Sequence, residues 1–574
     1  MTAPPRKLHL ILCWHMHQPD YRNYATGEFA LPWTYLHAIK DYTDMAAHME
    51  SHPNAAAVFN FVPVLLDQLE DYAEQFSTGR IRDPLLELLQ TENLDNITAA
   101  QRDLILEFCF RCNHSTMIAP YPSFLRLHEL FTVAEEQGKS ALVYLSGQYI
   151  ADLLVWYHLA WMGESVRREH ELVIQLMGKG EGYTAAERRQ LFELVGVLIR
   201  NIIPRYKKLR EAGTIEISTT PYYHPIAPLL IDFNTARETR VSSDLPQASH
   251  YPGGLKRAAF HVRAAIESHA ARFGEKPQGI WPAEGGVSEA VLNLFEQHGC
   301  HWTASGQGVL SHSLQKEHGS ELPDKFAYLY RPYQVASAAP DMTCFFRDDR
   351  LSDLIGFEYA RWDGRDAALN FIHALEDIYR HTPLHENPVV SVILDGENAW
   401  EYYPYNGHYF LTSLYDALEN HPFIHPTTFQ DYLALRLKQP AHAAAMGELE
   451  QLVAGSWVYG DFSTWIGSKD KNRAWDLLCA AKQDFDLVMA GHTLSDAEKE
   501  VATKQLADCE SSDWFWWFGD YNPSHSVESF DHLYRENLAN LYRLLKLPAP
   551  AALAVPISHG GGEMEAGGAM RRAS

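Results

Sequence analysis

Residues 388–410, PVVSVILDGENAWEYYPYNGHYF, hold a charge-free, β-branched run that ends abruptly in acids. Val389, Val390, Val392, Ile393 and Leu394 show no polar alternation. A short apolar run of this kind belongs to a strand covered on both faces, as in a parallel sheet. The run stops at Asp395, Gly396, Glu397 and Asn398. Acids around a glycine straight after a buried strand have the form of a βα loop, the part of a β/α barrel that carries active sites.

Working outward, six more strand signals precede this one. They are Leu8–Cys13 (LHLILC), Ala55–Val64, Thr214–Ser218 (TIEIS), the pair Gly279 and Ile280, Cys300–Ala304 (CHWTA) and Thr343–Phe346 (TCFF). Helical periodicity separates most of them, at greatest length between Leu65 and Ala212. Strands alternating with helices predict an α/β fold, a parallel β/α barrel of about seven or eight strands. After Pro426 the strand signals fade, and helices are expected over Asn472–Ala490, Leu494–Cys509 and Phe530–Leu547. The expected organisation is a barrel with helical insertions over 1–435, a helical domain completing the active site over 436–547, and a disordered, low-complexity tail over 548–574.

Composition narrows the function. The formal net charge is −25, from 73 acidic against 48 basic residues, which argues against nucleic-acid and anionic-membrane partners. Seven cysteines are scattered, and only Cys109 and Cys112 sit close, inside an apolar helix-like run, so they read as core thiols in a reducing compartment. No signal peptide is evident and no stretch reaches the roughly 18 apolar residues of a membrane helix, so a cytoplasmic location is expected.

The polar residues that stand out fall at strand ends. His15 and His17 follow the first strand at i and i+2 and point the same way. Glu216 sits between Ile215 and Ile217, where an acid must be paired or line a cavity. Tyr223 and His224 lie in a Pro-rich loop, Trp281 and Glu284 in WPAEGGVS, and Arg347 with Asp348 and Asp349 after TCFF. Glu284 and Asp395 stand at separate strand ends of one barrel, and two facing carboxyls are the minimum machinery for glycoside hydrolysis. Small neighbours, Ala283 and Gly285, leave room for a ring and suit Glu284 to the nucleophile's role. The aromatic company of Asp395 suits the proton donor, whose pKa must be raised. Trp400, Trp457 and Trp465 are candidates to stack on sugar faces, and His15 and His17 to bond hydroxyls.

HMHQP, GTIEI, WPAEGGVS, LDGENAW and GSWVYGDFSTWIG occur in the order of the five signature regions of family-57 glycoside hydrolases, and the chain resembles that family from about Leu8 to Leu547. It looks most like the amylopullulanase and α-amylase branch, as do FFRDDRLSDLIGF and SDWFWWFGD. The resemblance implies a (β/α)7 barrel, an incomplete relative of the eight-stranded kind, followed by helices. It also implies a retaining double displacement on α-1,4-glucans such as starch, glycogen and maltodextrins, without metal or other cofactor. Glu284 matches the nucleophile and Asp395 the general acid/base; His15, His17, Glu216 and Trp400 match substrate-site positions, as do Trp457, Asp461 and Trp465 in the fifth region. Thr214 departs from the pattern, which has Gln there. Cleavage of α-1,6 linkages, transfer to a second glucan as in a 4-α-glucanotransferase, and the oligomeric state stay open. Two readings of other classes compete. A metal-dependent amidohydrolase also carries His-x-His after its first strand and an Asp after its last, and a non-catalytic α-glucan-binding protein would keep the same cleft.

Overall fold

The computed structural model describes residues 6–319 and 321–562. Ten strands form one sheet: β1 Leu8–Met16, β2 Ala57–Phe61, β3 Ile215–Thr219, β4 Gly279–Ile280, β5 Trp302–Ser305, β6 Tyr333–Val335, β7 Thr343–Phe346, β8 Val389–Asp395, β9 Ile424–Thr427 and β10 Gly447–Leu449. Seven of them follow one another in parallel, in the order β8, β1, β2, β3, β4, β5, β7. The curled sheet meets itself where β7 reaches β8, through a parallel bridge between Arg347 and Ser391 and an N–H of Asp348 donated to the Ser391 carbonyl at 2.8 Å. This is the (β/α)7 barrel expected, with helices after it.

The central strand of the sheet's site-bearing half is β1, paired with β8, β2 and β9 and buried along all nine residues. Its register sets His15 opposite Asn60 of β2 on one side and Asp395 of β8 on the other. Asn60 in turn lies opposite Ser218 of β3. Because side chains alternate faces, a shared register level puts these groups into one layer inside the barrel mouth. Gly396 makes that closeness possible. Its N–H donates to the His15 carbonyl at 2.7 Å, and a Cβ there would lie 2.3 Å from Met16 Sδ.

The lower barrel is wedged open by short strands absent from the sequence reading. With β8 along one edge of β1, the other edge is shared by β2 over Cys13–Met16 and β9 over Leu8–Ile11. At the seam, β6 runs antiparallel to β7 and carries β10 beyond it. These elements are three or four residues long and β9 contains Pro426, which lacks the N–H that a strand interior needs. Because β10, Gly447–Leu449, belongs to the sheet, the sheet continues past the boundary expected at 435.

The helices after the barrel run over Lys469–Ala490, Asp496–Cys509, Ser512–Trp517 and Ser524–Leu544. The segment read as a tail from 548 differs from that reading up to 562. It makes a 3-10 turn over Ala551–Ala554, buries Leu553 and Ile557, and donates the Ile557 N–H to Asp531 at 2.7 Å. Residues 563–574 lie outside the described residues. No helix of the described residues is long and apolar enough to cross a membrane. The cysteines are free thiols, all buried except the partly buried Cys112. Burial pushes the Cys109 and Cys112 thiols up, as core positions do.

A buried acid ties the C-terminal helices to the barrel. Glu510 accepts from Tyr251 Oη at 2.5 Å, from Arg257 at 2.7 Å and from His261 Nε2 at 2.7 Å, all on or beside the helix Gly254–Phe273. Burial alone would raise its pKa, but Arg257 and His261 outweigh burial and hold it at about 2. Removing one partner of a buried pair leaves the other charge uncompensated, so Glu510→Ala should destabilise the fold by about 3–5 kcal/mol in denaturant unfolding. The folded pKa lies below the unfolded value of about 4.3, so the wild-type excess should be full above that pH and disappear as pH falls towards about 2. The gap between the two proteins should therefore close in acid.

Candidate active site

A cleft of about 600 Å³ opens at the C-terminal ends of the strands. His15 and His17 enter from β1, His224 from the loop after β3, Glu284 from the turn after β4, Arg347 from the end of β7, and Asp395, Glu397 and Asn398 from the end of β8. The region after the barrel closes the other side with Trp457, Asp513, Trp516, Trp517, Tyr521 and Phe530. The long insertion between β2 and β3 and the loop after β1 add Phe110, Trp161 and Trp33. Flat aromatic walls around buried carboxyls fit a ligand with apolar ring faces and hydroxyl edges.

Glu284 is held by unusual backbone. Its φ is +57° and ψ 25°, a left-handed conformation rare for a side-chain-bearing residue, and Gly285 follows at φ +60°. His224 is also left-handed, at φ +59°. Such conformations cost about 1 kcal/mol or more and persist where surrounding bonds over-determine them, most often at functional sites. Trp457 supplies those bonds twice: its backbone N–H donates to the Glu284 carbonyl at 3.0 Å, and its indole Nε1–H to Glu284 Oε2 at 3.0 Å. Ser512 Oγ lies 3.4 Å from Glu284 Oε1.

Burial raises the pKa of Glu284 to about 8, reinforced by the charges of Asp395 and Asp513 and opposed by the bonds from Trp457 and Ser512. Burial raises Asp395 to about 6, opposed by the 2.9 Å bond from Asn398 Nδ2 and by the neighbourhood of His17 and Arg347. Burial thus biases both carboxyls towards their protonated forms, and the charge of Asp395 adds to that bias at Glu284. Glu397 lies behind Asp395, accepts the His17 N–H at 2.9 Å, and is pushed well up by burial and by Asp395. Arg347 donates to Asp349, Asp353 and the Ile393 carbonyl, with its guanidinium 5.0 Å from the Trp457 ring centre.

The imidazoles form a stack. His17 and His224 lie with ring centres 4.0 Å apart, and His15 and His224 at 5.1 Å. His17 Nε2 reaches both oxygens of Asp513, at 2.9 and 3.0 Å. His15 Nδ1 meets Asn60 Oδ1 at 2.6 Å, His15 Nε2 meets His224 Nε2 at 3.1 Å, and His224 Nδ1 meets Ser512 Oγ at 2.8 Å. His17, His224 and Asp513 have potential donor atoms within 4.8 Å of one another. His17 Nε2, both His224 nitrogens and the Asp513 oxygens are hydrogen-bonded within the cluster, while His17 Nδ1 is buried with no hydrogen-bond partner.

Seven expected site residues thus meet in the cleft: Glu284, Asp395, His15, His17, His224, Arg347 and Trp457. Five do not line it. Trp281 is fully buried beneath the floor, edge-on to Trp457 with centres 5.2 Å apart. Glu216 is the second residue of β3, at the opposite end of the barrel, where it accepts from Trp302 Nε1 at 2.8 Å and the Gln430 N–H at 2.9 Å; burial raises it to about 7. The acid between two isoleucines is thus satisfied by neutral donors, away from the cleft. Trp400 is core. Its ring packs 5.8 Å from Trp14 and its Nε1–H donates to the Gly396 carbonyl at 2.8 Å, holding the DGEN turn from below. Asp461 is taken by Arg240 at 2.5 Å, and Trp465 is buried 6.1 Å from Trp516. Ser512, Asp513 and Asn60 were not foreseen. The sequence signal for the first two was the aromatic stretch Ser511–Asp520, which reads as packing until the helix Ser512–Trp517 is seen to face the mouth.

The model of glycosyl hydrolase family 57 matches residues 11–444. No curated protein matches the chain. Among solved structures, the chain is similar to a family-57 branching enzyme from the archaeon Thermococcus kodakaraensis, with TM-score 0.56, 14% identity, and 93% of this chain and 90% of that one covered. It is similar to a branching enzyme of the same type from Pyrococcus horikoshii, with TM-score 0.52, 14% identity and 96% of each chain covered. The α-amylase AmyC from Thermotoga maritima gives TM-score 0.52, 15% identity and 94% of each chain covered. These likenesses bear on the fold, and the family match extends over most of the chain, including both buried acids and the histidines of β1. The chain belongs to glycosyl hydrolase family 57.

Proposed function

We propose that the protein cleaves α-1,4-glucans such as starch, glycogen or maltodextrins with retention of configuration, Glu284 acting as nucleophile and Asp395 as general acid/base. The observation that carries this reading is the pair of buried carboxyls from separate strand ends, both with pKa raised by burial, at the mouth of an aromatic-lined cleft. In the first step Asp395 gives its proton to the leaving glycosidic oxygen while a Glu284 oxygen bonds the anomeric carbon. In the second, Asp395 takes a proton from the incoming water, and the Glu284 ester is released. Burial together with the charges of Asp395 and Asp513 favours the proton on Glu284 in the resting site. Attack requires it on Asp395, so the proton moves within the pair as sugar replaces water. The bond from Trp457 Nε1 aims one Glu284 oxygen and stabilises its ionised form. Trp516, Trp517 and Phe530 on one wall and Trp33, Phe110 and Trp161 on the other are the stacking surfaces for glucose rings.

A second reading is transfer of the glycosyl group to another glucan, supported by aromatic lining that comes both from the insertions of the barrel and from the region after it, enough to seat more than one glucan segment. Branching enzymes and an α-amylase are both among the similar structures. Everything up to the glycosyl-enzyme is common to both readings; they part on whether water or a sugar hydroxyl arrives next. Cleavage of α-1,6 linkages belongs to the same question of how the cleft seats a branch.

Glu284→Gln and Asp395→Asn should each lower turnover of soluble starch by at least about a thousandfold, the scale of losing a nucleophile or a positioned proton donor. Near wild-type turnover in either variant would remove that residue from its role. The pH profile of kcat/KM should be bell-shaped, with activity lost below about 6, as the pair takes a second proton, and above about 8, as it loses its only one. Products from amylose, pullulan and maltotriose separate the two readings. Reducing ends rising with every cleavage mark hydrolysis, and longer oligosaccharides from maltotriose without net reducing ends mark transfer.

A further inference from the structure

Behind Glu284 runs a chain of hydrogen bonds that ends on a fully buried amide. It passes from Glu284 Oε1 to Ser512 Oγ (3.4 Å), from Ser512 Oγ to His224 Nδ1 (2.8 Å), from His224 Nε2 to His15 Nε2 (3.1 Å), and from His15 Nδ1 to the Asn60 amide (2.6 Å). Every link is a group that can donate or accept. A serine hydroxyl has one hydrogen, and a neutral imidazole has one N–H and one bare nitrogen. Both imidazoles are neutral, because burial and the neighbouring imidazole push His15 down to about 3 and His224 well down. The direction of any one bond therefore dictates the direction of all the others.

Two directions satisfy every atom. In the inward one, the Asn60 carbonyl accepts from His15 Nδ1–H. His15 Nε2 is then bare and accepts from His224 Nε2–H, His224 Nδ1 accepts from Ser512, and Ser512 presents a lone pair to Glu284, which suits a protonated carboxyl. In the outward one, the Asn60 amino group donates to His15 Nδ1, each step reverses, and Ser512 donates its hydrogen to an ionised Glu284. An amide serves both directions by exchanging its two ends. Its remaining neighbours allow the exchange, because they are the hydroxyls of Ser218 at 2.9 Å and Thr220 at 2.8 Å, each able to donate or accept, and the Trp281 carbonyl offers Thr220 an alternative acceptor at 2.8 Å. The inward direction carries one more proton than the outward, the one on Glu284, which is released to the cleft when the chain reverses.

Resting on the reading of Glu284 as the nucleophile, we infer that Asn60 is a positioning residue whose reversible amide lets the Ser512–His224–His15 chain match either protonation state of Glu284, and so sets how readily Glu284 gives up its proton. The side chain does not line the cleft: Asn60, the fourth residue of β2, is without solvent exposure. The other ionisable groups around Glu284 are Asp395 from β8, Asp513 from the helix Ser512–Trp517, His17 from β1 and Arg347 from β7. None of them lies on the chain; the charges of Asp395 and Asp513 favour a protonated Glu284, and hence the inward direction, in all the variants compared below.

The test is kcat/KM on soluble starch against pH for the wild type, Asn60→Asp, Ser512→Ala and the double variant. A carboxylate at position 60 only accepts, so it locks the inward direction and Glu284 holds its proton more tightly. The alkaline limb should move up by about one pH unit, a tenfold change in proton affinity. In the Ser512→Ala background the chain is cut, and Asn60→Asp should move the limb by less than about a third of that. No shift in the intact chain overturns the inference, and so does an equal shift in both backgrounds, which would be the direct effect of the added charge. If Asn60→Asp does not fold, ¹⁵N spectra of the wild-type histidines decide. His15 and His224, identified from His15→Gln and His224→Gln, should trade protonated and bare nitrogens together as Glu284 titrates, and fixed tautomers would overturn the inference. This readout does not need activity, so an active Glu284→Gln would end the proposed function while leaving the chain still to be judged by its tautomers.

Discussion

Glu284 is a carboxyl buried beside a second carboxyl, and much of the structure around it serves to make that arrangement tolerable. An isolated buried carboxylate is strongly unfavourable, and two together are worse. The protein answers with a raised carboxyl pKa, an indole N–H from Trp457, and a chain of neutral groups behind Ser512. It also accepts a left-handed backbone at Glu284 and at His224, where the local geometry is set by bonds from outside the turn. The aspartate is treated differently: Asp395 ends a regular strand, and Asn398, three residues on, satisfies one of its oxygens.

The supports of Glu284 come from distant parts of the chain. The turn after β4 contributes Glu284, but its indole partner lies 173 residues on and its hydroxyl partner 228 residues on. The helices after the barrel are thus part of the acid's environment. Glu510, three residues before Asp513, anchors their approach on Arg257, His261 and Tyr251 of the barrel wall. One buried acid, held ionised, thereby steadies the segment that tunes another, held protonated. The contrast follows from partners: Glu510 meets a guanidinium, Glu284 a second carboxyl.

The same logic explains why some conspicuous residues are not in the cleft. Trp400 follows the acids of β8 closely, yet its ring is needed beneath the Gly396 turn, which would otherwise be unsupported. Glu216 interrupts an apolar strand, but at the end of β3 away from the mouth, where an indole and a backbone N–H receive it. Asp461 is neutralised by Arg240. A polar or aromatic residue beside a motif is as often there to hold the motif as to touch the ligand.

The sequence by itself determined the seven barrel strands, the two acids at separate strand ends and the histidine pair after β1. Those signals are local: apolar runs of strand length, and charges placed where the runs stop. It could not determine β6, β9 and β10, which are too short, and in β9 too proline-marked, to stand out without the neighbours that pair with them. Nor could it determine which candidates face the cleft, since Trp400, Trp465 and Trp457 read alike until burial separates them. Ser512 and Asn60 were invisible for the same reason. Their role lies in a hydrogen-bond geometry spanning residues 15, 60, 224, 284 and 512, and only the closed tertiary structure brings those five side chains into line.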